Sequence, residues 1–122
     1  MKRTAISVLF VFFLGLSGVL ANKTNVEVSV PSNVKQGDEI TIVINVSHKG
    51  NSNAHHTNWV YLKINGKEVQ RWAYAKNSLP SAGEFTVEYK VVVTESLYLE
   101  VQGNCNIHGS TGLKTAEVKV EQ

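Results

Sequence analysis

Cys105, Asn106, Ile107 and His108 place a thiolate donor and an imidazole donor three positions apart in one turn. That spacing lets a single backbone turn present both to one ion. His48, His55 and His56 offer further ring nitrogens. One thiolate with several imidazoles suits iron, copper or zinc. It does not suit calcium or magnesium, which take oxygen ligands. A lone Cys-x-x-His carries little weight, because solvated histidines and inert buried thiols are common. Concentration carries more: all four histidines and the single cysteine fall in Ser47 to Asn58 and Gly103 to Gly112.

His55 and His56 are adjacent. If the chain entering Trp59 is extended, their side chains point to opposite sides. One of the pair then faces a metal shared with Cys105, and the other meets solvent or a backbone carbonyl. The residues alone leave open which of the two, His55 or His56, is the ligand, or whether both are.

The single cysteine also bears on compartment. Met1, Lys2 and Arg3 open with positive charge, Ala5 to Leu16 is almost wholly apolar, and Val19-Leu20-Ala21 resembles a cleavage site. This is the three-part pattern of a secretory signal peptide over residues 1–21. The apolar run is shorter than the roughly 20 residues of a membrane span. The expectation is a soluble exported protein, periplasmic or extracellular, without a stable membrane anchor after cleavage. One thiol cannot close an internal disulfide, and ligation to a metal protects it from oxidation.

With Lys2 and Arg3 set aside, the 12 basic residues fall to 10 and match the 10 acidic ones. A neutral mature chain lacks the basic face that a nucleic-acid partner requires. Residues 22–122 have the length of one domain.

The elements that must position these donors read as strands. Val26, Val28 and Val30 alternate with polar residues until Pro31, and Ile40, Ile42, Ile44 and Val46 alternate likewise. Trp59 to Ile64 and Lys67 to Tyr74 flank Asn65-Gly66, a strong hairpin signal. Phe85 to Val93, Leu97 to Val101 and Leu113 to Val120 complete the set. No segment holds a helical period. About seven short strands predict an all-β fold, a single immunoglobulin-like antiparallel β-sandwich, with a Greek-key barrel as the near alternative. Loops at one end of a sandwich lie together, so the two donor stretches converge if they share an end. Trp59 and Trp72 read as strand residues, and Asn104 and Asn106 as turn formers.

Cys105-Asn106-Ile107-His108-Gly109 resembles the Cys-Asn-x-His-Gly turn of the superoxide reductase family, the iron-binding domain of desulfoferrodoxin and neelaredoxin. His55 to Leu62 is similar to the family's second histidine and the aromatic-aliphatic strand after it. His48 stands where the family has another histidine, with one extra residue before His55. The resemblance spans roughly residues 24 to 120 and implies a mononuclear non-haem iron centre. Cys105 would be its axial ligand, and His48, His55 and His108 equatorial ligands. It further implies reduction of superoxide to hydrogen peroxide and an external electron donor protein.

One departure stands out. The family's Glu-Lys-His stretch corresponds here to Asn22-Lys23-Thr24, so Lys23 matches the family's lysine and Thr24 replaces a histidine ligand. Lys23 is the candidate catalytic residue, drawing in the anionic substrate near the proton relay. Its bland reading is an exposed chain near the terminus.

Two rival readings remain at this level. A blue-copper electron-transfer protein is also an exported sandwich with histidine and cysteine ligands. Its usual axial methionine is missing, because the only methionine is Met1. A non-catalytic metal-binding or scaffold module of the same fold is the other, since sandwiches host many functions.

Overall fold

An extended chain sends successive side chains to opposite faces, so alternating sequence becomes a strand with one apolar face. In the computed structural model, which describes residues 23–121, eight strands form. They are β1 (Asn25–Ser29), β2 (Asn33–Lys35), β3 (Glu39–Ser47), β4 (Thr57–Ile64), β5 (Lys67–Ala73), β6 (Glu84–Val92), β7 (Leu97–Cys105) and β8 (Lys114–Glu121). The described residues contain no helix. The signal segment expected at residues 1–21 lies outside the described residues.

β3 shows how alternation sets the layers. Ile40, Ile42, Ile44 and Val46 are buried, while Asn45 between the last two is exposed. β3 lies between β1 and β6 in a three-stranded antiparallel sheet. The second sheet has the order β2-β8-β7-β4-β5. Val60, Leu62, Leu99, Val101 and Val118 of that sheet meet Val26, Ile42, Ile44 and Val46 of the first in one core. Each such side chain contributes about 1.5–3 kcal/mol when fully buried. Trp72 packs against this core, whereas Trp59 stacks on Tyr61 with the Arg71 guanidinium over both rings.

The all-β sandwich stands, with eight strands and one parallel edge. β2 pairs in parallel with β8, Asn33 opposite Lys119. Pro31 ends β1, and the chain crosses to the edge of the other sheet. β2 buries only Val34, so it has no alternation to read. The Asn65-Gly66 turn joins β4 to β5 as the sequence predicts, with Asn65 at φ 50°.

β7 runs further than its apolar stretch, through Gly103 and Asn104 to Cys105. Gly103 pairs with Val60, Asn104 with Trp59 and Cys105 with Thr57. Asn58 is the extra residue of a bulge in β4 at this point. Such a bulge bends a strand and re-aims its neighbours. Gly103 lets the layers close here: a Cβ on it would stand 2.8 Å from Thr24 Cγ2 and 3.0 Å from Val26 Cγ1. The end of β3, the start of β4, the end of β7 and Thr24 therefore meet at one end of the sandwich.

Candidate metal centre

Cys105 is the last residue of β7 and is buried, so the thiol is delivered by a strand rather than a loop. Cys105 and Gly109 exchange two backbone hydrogen bonds, of 2.9 and 3.0 Å, which close the turn between them. Gly109 takes φ 82°, a conformation that disfavours any side chain. The backbone N–H groups of Ile107 and His108 both donate to Cys105 Sγ at 3.4 Å. They fix the sulfur's direction and set two N–H dipoles against it.

His48 follows β3 directly, and His55 lies two residues before β4. His48 Nε2 is 3.2 Å from His55 Nε2, which is 2.9 Å from His108 Nδ1. The ring pairs meet edge to face, each with centroids 4.7 Å apart. One donor atom from each of His48, His55 and Cys105 lies within 4.8 Å of the others. Two nitrogens bound at about 2.0–2.1 Å and at a right angle stand roughly 3 Å apart. The observed spacings are those of neighbouring ligands on one ion. Three imidazoles and a thiolate also form a donor set that borderline transition metals accept.

His48 is buried, and His108 is exposed. The centre therefore sits at the surface with its inner side closed. Burial pushes the His48 imidazole below its ordinary value near 6.5, and the charges of His55 and His108 add to this. The hydrogen bonds to the Asn51 side chain and to the Gly50 backbone oppose the shift. A neutral His48 is the form that binds a metal.

Two asparagines hold the loops in place. Asn51 contacts the His48 ring, the Thr57 backbone and the Ala82 carbonyl. Asn106 Oδ1 accepts from His56 N at 2.9 Å, and Asn106 Nδ2 donates to Ala54 O at 3.1 Å. Asn106 N also donates to His56 O at 3.0 Å. The turn that carries Cys105 and His108 is thus clamped to the segment that carries His55. By sequence Asn106 reads as a turn former, and Asn51 carries no distinguishing motif. Its signal is its place between two candidate ligands in a polar loop.

The cluster gathers His48, His55, His108 and Cys105. It does not gather His56, whose ring is buried with Nδ1 2.9 Å from the Ser52 carbonyl. Lys23 is exposed and makes no ion pair among the described residues. Its neighbour Thr24 donates from its backbone to Gly109 O at 3.2 Å and accepts from Thr111 N at 3.0 Å. Lys23 therefore stands beside the cysteine turn, but its ammonium is not placed on the cluster. Thr24 is fully buried, with its hydroxyl on that of Thr57.

The desulfoferrodoxin family model matches residues 21–111. The chain is similar in structure to the superoxide reductase (neelaredoxin) from Ignicoccus hospitalis. The two are 24% identical over 81% of this chain and 83% of that one, with a TM-score of 0.67. The superoxide reductase (neelaredoxin) from Archaeoglobus fulgidus in the reduced form is 18% identical, over 79% and 89% of the chains, with a TM-score of 0.58. A CARDB domain from Pyrococcus furiosus, solved in complex with di-metal ions, is 17% identical over 82% and 94%, at 0.62. At these identities the likenesses establish the sandwich, which the third shares under a different domain name. No curated protein sequence matches the chain. The family match covers most of the sequence and includes every residue of the donor cluster: this chain belongs to the desulfoferrodoxin family.

Proposed function

We propose that the protein holds one non-haem iron ion through His48, His55, His108 and Cys105, and reduces superoxide to hydrogen peroxide there. The convergence of three ring nitrogens beside a buried cysteine sulfur carries this reading. Family membership supports iron over copper or zinc, which the same donors would accept.

Ferrous iron held by these residues would supply the one electron that superoxide gains, and two protons from solvent would complete hydrogen peroxide. The chain's own residues prepare that step. The three imidazoles bind as neutral donors, so the thiolate is the only anionic ligand. The Cys105 thiolate would donate electron density to the bound ion, and the N–H groups of Ile107 and His108 moderate its charge. His108 lies at the surface, which leaves a small anion a short path to the centre. Lys23 precedes Thr24, whose backbone is bonded to Gly109 of the cysteine turn, and its exposed charge would attract that anion. An external donor protein returns the electron, since the chain holds a single cysteine and no second cluster of metal-ligating groups among the described residues.

The pattern of residues 1–21 supports export, with the mature chain beginning at Asn22 and working in the periplasm or outside the cell. Intact mass of the protein recovered from its native compartment tests this, and a chain retaining Met1 would count against it.

The activity is tested by mixing ferrous-loaded protein with a pulse of superoxide in a stopped-flow instrument. The proposal expects iron oxidation well above the rate for free ferrous ion, with one peroxide formed per superoxide consumed. Oxidation no faster than that background would end it.

A further inference from the structure

The side chain of Asn51 touches three groups, and together they leave it one orientation. Thr57 N–H points at one side-chain atom from 2.9 Å, which must be the oxygen because it accepts. The other side-chain atom lies 2.8 Å from the Ala82 carbonyl, so it must be the NH2 group. The atom that faces His48 Nδ1 at 3.1 Å is then the oxygen, Oδ1. An oxygen that only accepts requires a proton on Nδ1. The neutral His48 ring therefore keeps its lone pair on Nε2, the atom 3.2 Å from His55 Nε2.

We propose that Asn51 is the positioning residue that fixes the tautomer and aim of His48, so that the ring presents Nε2 as a ready ligand. This inference rests on the metal-site reading above and extends it to a residue outside the donor set. The anchor behind Asn51 is rigid. Thr57 is fully buried at the start of β4, opposite Cys105. Ala82 adjoins Gly83, whose carbonyl accepts from His48 N at 2.7 Å. One amide group thus joins the β3 end, the β4 start and the segment before β6. No bracing partner of this kind faces the ring nitrogens of His55 or His108 among the described residues. His48 is the imidazole whose state is set before any ion arrives. Partners of this sort commonly change metal affinity by about 10–100-fold when removed.

The test uses the full mature chain and two variants, Asn51→Ala and Asn51→Asp. Nitrogen-15 NMR of the metal-free protein at about pH 8 distinguishes a protonated from an unprotonated ring nitrogen. Wild type and Asn51→Asp should show His48 with Nδ1 protonated and Nε2 bare. Asn51→Ala should shift toward the opposite tautomer. Cobalt(II) titration against a competing chelator should then show a loss of roughly 10–100-fold for Asn51→Ala. Asn51→Asp, which keeps the acceptor oxygen, should recover most of it. A wild-type His48 protonated on Nε2 would overturn the inference even if Asn51→Ala fails to fold. Equal losses in both variants would overturn it as well, since that pattern belongs to a merely structural residue. A wild type with the expected tautomer but no cobalt affinity would sink the metal-site reading instead.

Discussion

The hydroxyl of Thr24 lies 2.8 Å from the hydroxyl of Thr57, and both residues are fully buried. By the resemblance of Asn22-Lys23-Thr24 to the family's Glu-Lys-His stretch, Thr24 would stand in place of a further histidine. Here the side chain is spent on the core: its Oγ1 meets Thr57 and its Cγ2 packs over Gly103. The proposed donor set is therefore three imidazoles and one thiolate, and the Thr24 side chain serves the core.

Thr24→Val should accordingly destabilise the fold while leaving metal binding intact. It leaves the buried Thr57 hydroxyl without its partner, which costs about 1–3 kcal/mol. Adding Thr57→Val should recover part of that loss, because neither hydroxyl is then stranded. Denaturant midpoints of the two single variants and the double variant measure the coupling. A cobalt titration of Thr24→Val should match wild type.

Gly103→Ala should destabilise by about 1–3 kcal/mol through overpacking. Its new methyl would stand 2.8 Å from Thr24 Cγ2 and 3.0 Å from Val26 Cγ1. Thr24→Ser removes the nearer of these atoms and keeps the hydroxyl. The double variant Gly103→Ala/Thr24→Ser should therefore be less destabilised than Gly103→Ala in thermal unfolding.

His55→Ala and His56→Ala should separate sharply. His55 Nε2 lies between the donor nitrogens of His48 and His108, so its loss should lower metal affinity by tenfold or more, on the order of a ligand's contribution. His56 is tied to the Ser52 carbonyl. Its removal should lower the melting temperature and leave the affinity nearly unchanged. Chelator competition and thermal unfolding of both variants make the comparison.

The metal-free protein should lose stability as pH falls below about 6.5. His48 holds its proton less tightly when folded than when unfolded, because burial disfavours its charge. In that window the unfolded chain binds more protons than the folded one, so protonation pulls toward unfolding. Above it both states are neutral at this site and His48 contributes no slope. His48→Gln should flatten its share of the slope in denaturant midpoints measured from pH 5 to 8.

Much of the fold is legible in the sequence because alternation and turn chemistry are local. Asn65-Gly66 announces its hairpin, and Ile40 to Val46 announces the central strand of its sheet. β2 escapes because only Val34 turns inward. The end of β7 escapes because Gly103 and Asn104 look like loop residues. Gly103 is there for close approach to Thr24, a contact between residues far apart in the chain. The candidate donors are legible by type and crowding. The bracing of His48 by Asn51 is not, since it depends on Ala82, before β6, and Thr57, at the start of β4, arriving from separate parts of the chain. His55 and His56 are equivalent by composition; the fold tells them apart by turning His55 to His48 and His108 and His56 to the Ser52 carbonyl.

The visible absorption of the ferric-loaded protein, beside that of Cys105→Ser, tests the centre most directly. Thiolate-to-iron charge transfer gives a colour that neither imidazole nor serine can supply. An intense visible band is expected in wild type and lost in Cys105→Ser, with one iron per wild-type chain by metal analysis. Wild type and Cys105→Ser with the same spectrum and the same iron content would contradict the proposed centre.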